Sequence, residues 1–486
     1  MSDRYRYITT TLPYVNAEPH IGFAMEIIRA DIYARMQANA GFNVFFNTGT
    51  DEHGQKIYDY AQKANTPIEE YVNKHAENFH TLISTLNIYS DIYFIRTTDK
   101  NHVSSAQAFW RRVRDNGYIY KNTYQSKYCV GCELEKTDSE LVDGKCPEHP
   151  NEEIKFTDEE NYFFKWSAFQ KPLLDFYSSH PNFVIPDFRF NEIKAFVERG
   201  LNDFSISRLK SKMSWGVPVP DDDEHVMYVW FDALVNYIST LGWPDEGDGS
   251  NFSHFWKNGN PVQICGKDNL RQQTAMWQAM LMAAGLPNTS NIIIDGFINS
   301  GGQKMSKSLG NVISPYDIIE EYHTFTQFPE DVLRYYLVRH VAPFEDSDVT
   351  KEKITECYNS HLANGLGNLV SRLMNMIVAY NVIYDSDILN IPPKVEDDLP
   401  MFRFDLYAES IWEKVGALDA FIAEKQPFKK IKENPDEAKS DLVYAIGELA
   451  HISKMLEPLM PRTAETIMKL IKEKKKPDAP LFKRKD

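Results

Sequence analysis

The stretch GGQKMSKSLGN, residues 301–311, combines backbone freedom with positive charge. Its two lysines, Lys304 and Lys307, stand among glycines and serines, with almost nothing apolar to bury. A loop of this kind could close over a bound phosphate chain, because glycine permits the movement and lysine neutralises anionic charge. The same composition is typical of a solvated loop, so the stretch needs support from elsewhere in the chain.

A second candidate phosphate site is PHIGF, residues 19–23, which follows the first predicted strand. His20 and Gly22 lie at the predicted start of an amphipathic helix. Free N–H groups at such an end attract phosphate, Gly22 lets a ligand approach the backbone, and His20 can donate to a phosphoryl oxygen. A histidine with a purely structural role would give the same short pattern.

Three of the five cysteines fall within one short segment, YCVGCELEKTDSELVDGKCPEH. Cys129 and Cys132 form a CxxC pair, and Cys146 and His149 form a CxxH pair. Three thiolates and one imidazole at this spacing predict a structural Zn²⁺ whose four positions are all filled by the protein. Loosely grouped free thiols are the alternative. A catalytic zinc is disfavoured, because no position is left for water.

The 486 residues have the composition of an ordinary globular chain, with 43% hydrophobic and 25% charged residues. No apolar run approaches the roughly 20 residues of a membrane span, and the N-terminus has no targeting pattern, so we expect a cytosolic protein. The length favours about three domains. The formal net charge of −16 argues against broad adhesion to nucleic acid but allows a local basic patch.

Strand-like and helix-like segments alternate along the chain to near residue 350, beginning with RYRYITTTLP, AMEIIRADIYARMQANAG and FNVFFNTGT. This rhythm predicts an α/β fold with a doubly wound, Rossmann-type parallel sheet. The cysteine knuckles interrupt it, which predicts an inserted connective domain, and long amphipathic patterns after residue 350 predict an all-α helical bundle. The predicted domains are residues 1–118 and 220–322 for the two Rossmann halves, 119–219 for the insertion, 323–350 for a linking stem and 351–486 for the bundle.

Taken in order, these motifs resemble those of the class I aminoacyl-tRNA synthetases, and most closely the methionyl-tRNA synthetases. The resemblance covers nearly the whole length and includes TTLPYVN, HIG, NTGTDEHGQKI, the two knuckles, SISR, WGVPVP, HVMYVWFDAL, GKD, GGQKMSKSLGNV and GNLVSR. It implies that the methionine carboxylate attacks the α-phosphate of ATP to give methionyl-adenylate, which then charges the 3′ end of methionine tRNA. Mg²⁺ is expected with the nucleotide. By this resemblance, the residues for ATP binding and catalysis are His20, Gly22, Lys304 and Lys307.

Methionine recognition needs an apolar slot with polarisable walls, because a thioether sulfur is a weak acceptor that gains from aromatic contact. The resemblance assigns methionine binding to Leu12, Tyr14, Asp51, Trp230, Ala233, Tyr237, Asp268, Gln273 and Trp277. Asp51 would meet the substrate ammonium group. The chain departs from the family pattern at Phe23, where the family has the second histidine of its HIGH motif, and at Gln273, where a histidine is usual.

In the helical region, GLGNLVSRLMNM puts Asn368 and Arg372 one turn apart on one helical face. The resemblance places the anticodon of methionine tRNA, elongator and initiator alike, against this pair and against Phe428, on which a base could stack. Lys430, beside Phe428, is expected to contact phosphate. The chain ends without the C-terminal dimerisation domain of some relatives, so we expect a monomer.

Two kinds of alternative stay open at this point. Isoleucyl, valyl and leucyl enzymes of the same class carry a large editing domain, for which residues 119–219 leave little room, and a cysteinyl enzyme lacks the YVWFDA context. A non-catalytic tRNA-binding paralogue is supported only by Phe23 and Gln273. Methionine-dependent exchange of pyrophosphate with ATP would separate these possibilities.

Overall fold

The computed structural model describes residues 4–16, 18–132, 134–136, 141–305, 310–385, 388 and 402–486. The chain forms two compact units, each assembled from three stretches of sequence. The first unit consists of Met1–Glu18, Gln37–Leu82 and Ser90–Asp295. The second unit consists of Pro19–Met36, Ile83–Tyr89 and Gly296–Asp486.

The described strands are β1 (Tyr5–Thr10), β2 (Asn43–Thr50), β3 (Ile92–Arg96), β4 (Ile119–Cys129), β5 (Leu134–Glu135), β6 (Ile154–Phe164), β7 (Val184–Ile185), β8 (Phe204–Ser205), β9 (Ser207–Leu209), β10 (His225–Met227), β11 (Asn260–Gly266), β12 (Asn291–Asp295), β13 (Ile298–Ser300), β14 (Gln303–Lys304) and β15 (Ser347–Asp348). The described α-helices are α1 (Ile21–Asn39), α2 (Gln55–Lys63), α3 (Ile68–Thr85), α4 (Lys100–Asp115), α5 (Gln170–Ser179), α6 (Asp187–Glu198), α7 (Val229–Ala233), α8 (Asn236–Ser239), α9 (Trp277–Ala284), α10 (Pro315–Tyr322), α11 (Pro329–Arg339), α12 (Lys351–Cys357), α13 (Asn368–Ala379), α14 (Phe404–Lys425), α15 (Pro427–Lys430), α16 (Pro435–Leu456) and α17 (Pro461–Glu473). Wider, π-helical segments cover Phe252–Lys257, Gln272–Met276 and Tyr358–Gly367.

The first unit contains a six-stranded parallel sheet with the strand order β3-β2-β1-β11-β12-β7. Ile8 at the centre of β1 is fully buried and pairs with Phe46 of β2 on one side and Val262 of β11 on the other. The strand order reverses between β1 and β11, so this is the switch point at which doubly wound sheets bind ligands. The predicted Rossmann-type fold is confirmed.

A second sheet of the first unit, with the order β5-β4-β6-β8, lies within the range that the sequence assigned to an insertion. Its long strands β4 and β6 pair antiparallel from Ile119 opposite Phe164 to Cys129 opposite Ile154. One end of β4 thus delivers Cys129 to the knuckle region. The exact domain boundaries remain predictions.

The second unit is mostly helical, as the amphipathic patterns after residue 350 predicted. It also contains a small sheet with the order β14-β13-β15, whose strands β13 and β14 precede α10 in the chain and whose strand β15 lies between α11 and α12. Several helix starts are set by local chemistry. The Ser314 side chain accepts from the Asp317 amide at the start of α10, and Thr350 and Asn434 cap α12 and α16 in the same way. Proline in the first turn of α10 and α16 also favours a helix start there, because its fixed φ angle suits the first turn of a helix.

A fully buried arginine joins the three stretches of the second unit. Arg334 on α11 donates to the Asp31 carboxylate at 2.6 Å, to the Pro458 carbonyl at 2.8 Å and to the Leu86 carbonyl at 3.3 Å. Asp31 also accepts from Arg35 at 2.9 Å and from the Tyr89 amide at 2.7 Å. Removing one member would leave a buried charge uncompensated, so this network fixes how the three stretches assemble.

Across the described residues, every helix is too short or too polar to span a bilayer.

Candidate functional site

Residues singled out from the sequence lie just beyond the carboxyl ends of three adjacent strands of the parallel sheet. Leu12 and Tyr14 follow β1, Asp51 follows β2, and Asp268 lies in a short 3₁₀ turn after β11. These strands flank the switch point, where the edge of a doubly wound sheet is open to a ligand. The side chain of Asp268 is exposed, whereas Asp51 is buried.

Tyr14 and Asp51 are held together by the backbone. The Asp51 amide donates to the Pro13 carbonyl at 3.0 Å, and the Val15 amide donates back to the Asp51 carbonyl at 3.3 Å. The Tyr14 ring meets the Trp230 ring edge to face, with the centroids 6.3 Å apart. One carboxylate and two aromatic rings from separate parts of the sequence are therefore brought to the same edge of the sheet.

A second group of predicted residues is tightly packed and hydrogen-bonded. The Gln273 amide nitrogen donates to the Tyr237 hydroxyl at 2.7 Å, and the Gln273 amide oxygen accepts from Gln263 at 3.1 Å. The Tyr237 ring lies 5.9 Å from the Trp277 ring, and both residues are buried. Gln273 thus orients the Tyr237 hydroxyl. We call the two ring pairs, Tyr14–Trp230 and Tyr237–Trp277, the aromatic cluster.

Trp230 and Ala233 lie on the single-turn helix α7, which also carries a buried carboxylate that sequence reasoning missed. Asp232 contacts His53 at 3.1 Å and His102 at 3.7 Å, and His102 in turn meets the Ser239 hydroxyl at 2.9 Å. Burial acts to raise the pKa of Asp232, but the two histidines outweigh it and hold the pKa below its ordinary value. This network locks α7 and so fixes the Trp230 and Ala233 side chains.

In the second unit, the HIG residues form the entry to α1. The Gly22 amide donates to His20 Nδ1 at 3.0 Å, which leaves the proton of a neutral imidazole on Nε2. A side chain at position 22 would clash, because its Cβ would lie 2.8 Å from the His20 ring. Gly22 therefore allows the exposed His20 ring to fold over the helix start with a donor free for a ligand.

The base of the lysine loop also lies in the second unit. Lys304 belongs to β14, which pairs with β13, and the Gly302 amide donates to Asp348 at 2.7 Å. Gly301, Gly302 and Gly310 all have positive φ angles, so a loop with larger residues at these turns would be strained. The Ile21 amide donates to the Ile313 carbonyl at 3.1 Å, which joins the HIG segment to the loop's far end. Lys307 lies outside the described residues.

The predicted zinc ligands converge. The ligand atoms of Cys129, Cys132, Cys146 and His149 all lie within 4.8 Å of one another. Cys132 Sγ is 3.3 Å from Cys146 Sγ and 3.2 Å from His149 Nδ1, near the roughly 3.5–3.8 Å edges of a tetrahedral zinc site. A Cβ on Gly131 would lie 2.3 Å from the His149 ring, so glycine is required there.

The electrostatics of this cluster favour a cation. Burial raises the pKa of Cys129 and Cys132. Burial also acts to raise the pKa of Cys146, but hydrogen bonds from Cys132 and Cys129 outweigh it and lower the pKa. The three thiols therefore resist losing all their protons together unless a positive ion compensates them.

The predicted anticodon residues are spread over the helical region of the second unit. Asn368 and Arg372 lie one turn apart on α13, and Phe428 lies on α15 with 41% of its surface exposed. Arg372 Nη1 donates to the Asp419 carboxylate of α14 at 2.8 Å. Lys430 is held by Glu437 at 2.7 Å and by Asp441 at 2.6 Å, so its charge is already paired where the sequence suggested a phosphate contact.

Known proteins resemble the chain over most of its length. The family model described as tRNA synthetases class I (M) matches residues 6–156 and 149–374. The methionine–tRNA ligase of Thermotoga maritima is 38% identical over 97% of this chain and 76% of its own length. The corresponding ligase of Thermosynechococcus vestitus is 38% identical over 95% of this chain and 88% of its own length.

Solved structures agree with this picture. Mycobacterium tuberculosis methionyl-tRNA synthetase in complex with methionyl-adenylate superposes with a TM-score of 0.87 at 33% identity, over 96% of this chain and 94% of that one. The apo form of the same enzyme gives a TM-score of 0.79 at 31% identity, over 96% and 92% of the two chains. The sequence comparisons and the structural comparisons therefore identify the same group of relatives.

Proposed function

The chain belongs to the methionyl-tRNA synthetase family, and we propose that it binds L-methionine against the aromatic cluster of the first unit. As a methionine–tRNA ligase, it activates methionine with ATP to form methionyl-adenylate and transfers the methionyl group to the 3′ end of tRNA. The observation that carries the proposed binding site is the bond from Gln273 to Tyr237, which presents a rigid aromatic wall beside Trp277.

Each part of this site suits one part of methionine. Polarisable rings favour the thioether, which has little hydrogen-bonding capacity of its own. The Asp51 carboxylate suits the substrate ammonium group; it accepts from the His53 amide at 3.3 Å, and the Asp51 backbone is bonded to Pro13 and Val15 on either side of Tyr14. Leu12, Ala233 and Asp268 complete the proposed set. Gln273 takes the place of the usual histidine, and its role is to fix the Tyr237 hydroxyl rather than to transfer a proton.

The reaction requires positioning more than proton transfer. One methionine carboxylate oxygen attacks the α-phosphorus of ATP and pyrophosphate leaves, and a hydroxyl of the terminal adenosine of tRNA then attacks the carbonyl carbon and releases AMP. We assign phosphate binding to His20 Nε2–H, to the backbone beside Gly22 and to Lys304 and Lys307. Charge accumulates on the departing pyrophosphate, so these donors act mainly in the transition state. Mg²⁺ would enter with ATP and neutralise part of that charge.

The first test is methionine-dependent exchange of labelled pyrophosphate into ATP, without tRNA, with a panel of amino acids. We expect exchange with methionine and background rates with isoleucine, leucine, valine and cysteine. Exchange with another amino acid instead would assign the chain a different specificity. No exchange with any of them, from protein that still binds methionine tRNA, would support the non-catalytic alternative.

We further propose that Cys129, Cys132, Cys146 and His149 bind one structural Zn²⁺. Support comes from their convergence at the end of β4 and from a donor set of three sulfurs and one nitrogen, which suits tetrahedral zinc. The ion would close the segment between β4 and β6. It takes no part in the chemical steps, because the four protein ligands leave no position for substrate.

Elemental analysis tests the zinc site. Protein purified without chelator is expected to lose about one zinc per chain on Cys146→Ser substitution and to unfold at lower temperature, since metal binding and local folding are coupled. Cys265→Ser is the matched control, because Cys265 is a buried cysteine outside the cluster. Equal zinc contents in the parent and in Cys146→Ser would contradict the assignment.

We also propose that methionine tRNA, elongator and initiator, docks its anticodon against Asn368, Arg372 and Phe428. The support is the exposed Phe428 ring, on which a base can stack, and two polar side chains one turn apart on α13.

We propose as well that the enzyme works as a monomer in the cytoplasm.

A further inference from the structure

A second group of metal-type ligands lies in the second unit, remote in sequence from the knuckle. It consists of His340, which directly follows α11, Cys357, the last residue of α12, and His361 in the π-helical segment after it. One nitrogen of each histidine and the Cys357 sulfur all lie within 4.8 Å of one another. The methionyl-tRNA synthetase reaction makes no use of these residues.

The two imidazoles converge on one point. His361 Nδ1 lies 2.7 Å from the Tyr335 hydroxyl, and His340 Nε2 lies 2.9 Å from the same oxygen. The rings are nearly parallel, with centroids 5.2 Å apart and planes inclined by 9°. The point on which they converge is the Tyr335 oxygen, which also accepts from Arg339 Nη1 at 2.6 Å. Two ring nitrogens, a hydroxyl oxygen and a thiol thus form a compact group of four atoms of the types that bind metal ions.

The local charges permit a cation at this position. Arg339 would oppose a cation, but its guanidinium is paired with the Glu409 carboxylate at 2.8 Å. All three ligands are half-buried, so an ion can reach them from solvent.

We propose that His340, Cys357 and His361 form a second zinc site, with the Tyr335 hydroxyl in the fourth position. One sulfur, two nitrogens and one oxygen suit tetrahedral Zn²⁺ better than the oxygen-seeking Mg²⁺ or Ca²⁺. The ion would tie the end of α11 to α12 and to the π-helical segment. This inference is independent of the proposed roles in catalysis, since none of its ligands belongs to that machinery.

Site-specific protection of Cys357 tests the proposal. Metal-stripped full-length protein is alkylated with iodoacetamide in the presence and absence of Zn²⁺, and the labelled peptides are quantified by mass spectrometry. Because a zinc-bound thiolate is a poor nucleophile that is also shielded, we expect zinc to slow Cys357 labelling by about tenfold or more. Reading the peptide that carries Cys357 keeps this result separate from the knuckle, and buried Cys265 serves as the internal reference.

Variants identify the other ligands. His340→Gln and His361→Gln keep a polar side chain of similar size, and each is expected to abolish most of the protection by zinc. His323→Ala removes an exposed histidine of the same unit and is expected to leave protection intact. Equal Cys357 labelling with and without zinc in the parent protein would overturn the proposal and leave a purely hydrogen-bonded cluster. Protection that survives both glutamine substitutions would overturn it as well.

Discussion

The proposed methionine site and the proposed anticodon surface differ in how far their side chains are fixed before a ligand arrives. Gln273 and Trp277 are almost completely buried, and the Gln273 amide already holds Tyr237. Arg372 and Phe428 are about two-fifths exposed, and Arg372 is occupied by Asp419 of the same chain. The side chains of the proposed methionine site are already fixed by one another, whereas Arg372 would have to leave an internal partner to contact RNA.

This difference follows from what each region must recognise. Methionine differs from other apolar amino acids mainly in shape and polarisability, so discrimination needs walls that do not move. RNA brings its own charge and unstacked bases, so an exposed arginine can leave a carboxylate for a base edge at little net cost. Substitutions should therefore act on methionine binding through lost rigidity, and on tRNA binding through altered competition for Arg372.

The largest expected effect lies outside both regions. Lys307→Ala should slow adenylate formation by about 10²–10³-fold with little change in methionine affinity, because its charge is needed mainly as pyrophosphate leaves. Single-turnover rapid-quench measurement of methionyl-adenylate gives the rate. Lys171→Ala, at an exposed lysine of the first unit, is the control and should match the parent. A variant with normal rate and weakened methionine binding would contradict the role assigned to Lys307.

The rigidity of the methionine site can be broken at one hydrogen bond. Gln273→Met should raise the KM for methionine in pyrophosphate exchange by about 10–100-fold, since a buried hydroxyl loses its partner at a cost of roughly 1–3 kcal/mol. Tyr237→Phe should have a similar effect, and the double variant should cost less than the sum of the two. Tyr120→Phe, which removes a hydroxyl bonded to Asp203 in the insertion, is the matched control. Additive effects would mean that Gln273 does not act through Tyr237.

At the anticodon surface, Arg372→Ala should weaken charging of tRNA by about 1–3 kcal/mol in kcat/KM, the scale of one bidentate base contact, and leave pyrophosphate exchange unchanged. Arg403→Ala is the control, because Arg403 is also ion-paired on the second unit, with Asp405. Comparing tRNA that carries the native CAU with one substituted anticodon separates base reading from general affinity. If the Arg372 variant charges both tRNAs as the parent does, the surface has been misassigned.

The smallest effect tests the competition directly. Asp419→Asn removes the internal partner of Arg372 and should improve tRNA binding by about 0.2–1 kcal/mol, the strength of an exposed ion pair, with a steeper salt dependence. Asp405→Asn, the partner of the control arginine, should change neither quantity. Filter-binding isotherms at several salt concentrations would measure both. Weaker tRNA binding by the Asp419 variant would mean that the ion pair presents Arg372 correctly rather than competing for it.

Features encoded in nearby residues could be predicted from the sequence. The Cys129–Cys132 and Cys146–His149 pairs are each set by turns of a few residues, and the structure brings all four together. The parallel sheet could be predicted because short apolar runs such as β1 alternate with helical patterns, and general rules of chain crossover then favour parallel pairing of the strands. Asn368 and Arg372 were placed on one helical face by their spacing alone.

Contacts between residues that are distant in the chain could not be predicted, because no local sequence pattern indicates them. His53 and Asp232 are 179 residues apart, and a lone histidine or aspartate in either motif gives no hint of the other. Likewise, nothing in the sequence indicated that α16 brings Glu437 and Asp441 to the Lys430 ammonium group, and the phosphate contact of Lys430 remains a prediction. The placement of Lys307 and the domain boundaries remain predictions.

The buried network around Arg334 has a consequence for synthesis of the protein. Asp31 on α1 and its partner Arg334 are separated by 303 residues, so α1 leaves the ribosome long before Arg334 exists, with only Arg35 of the same helix beside the Asp31 carboxylate. At about 5–20 residues per second, that interval is about 15–60 s. Throughout it, the side chains of Ile27, Ile28 and Ile32 on α1 lack their final neighbours, and chaperones or transient contacts with the nascent chain must shield them. The order in which the second unit receives its segments therefore leaves the buried face of α1 exposed to aggregation while the rest of the chain is made.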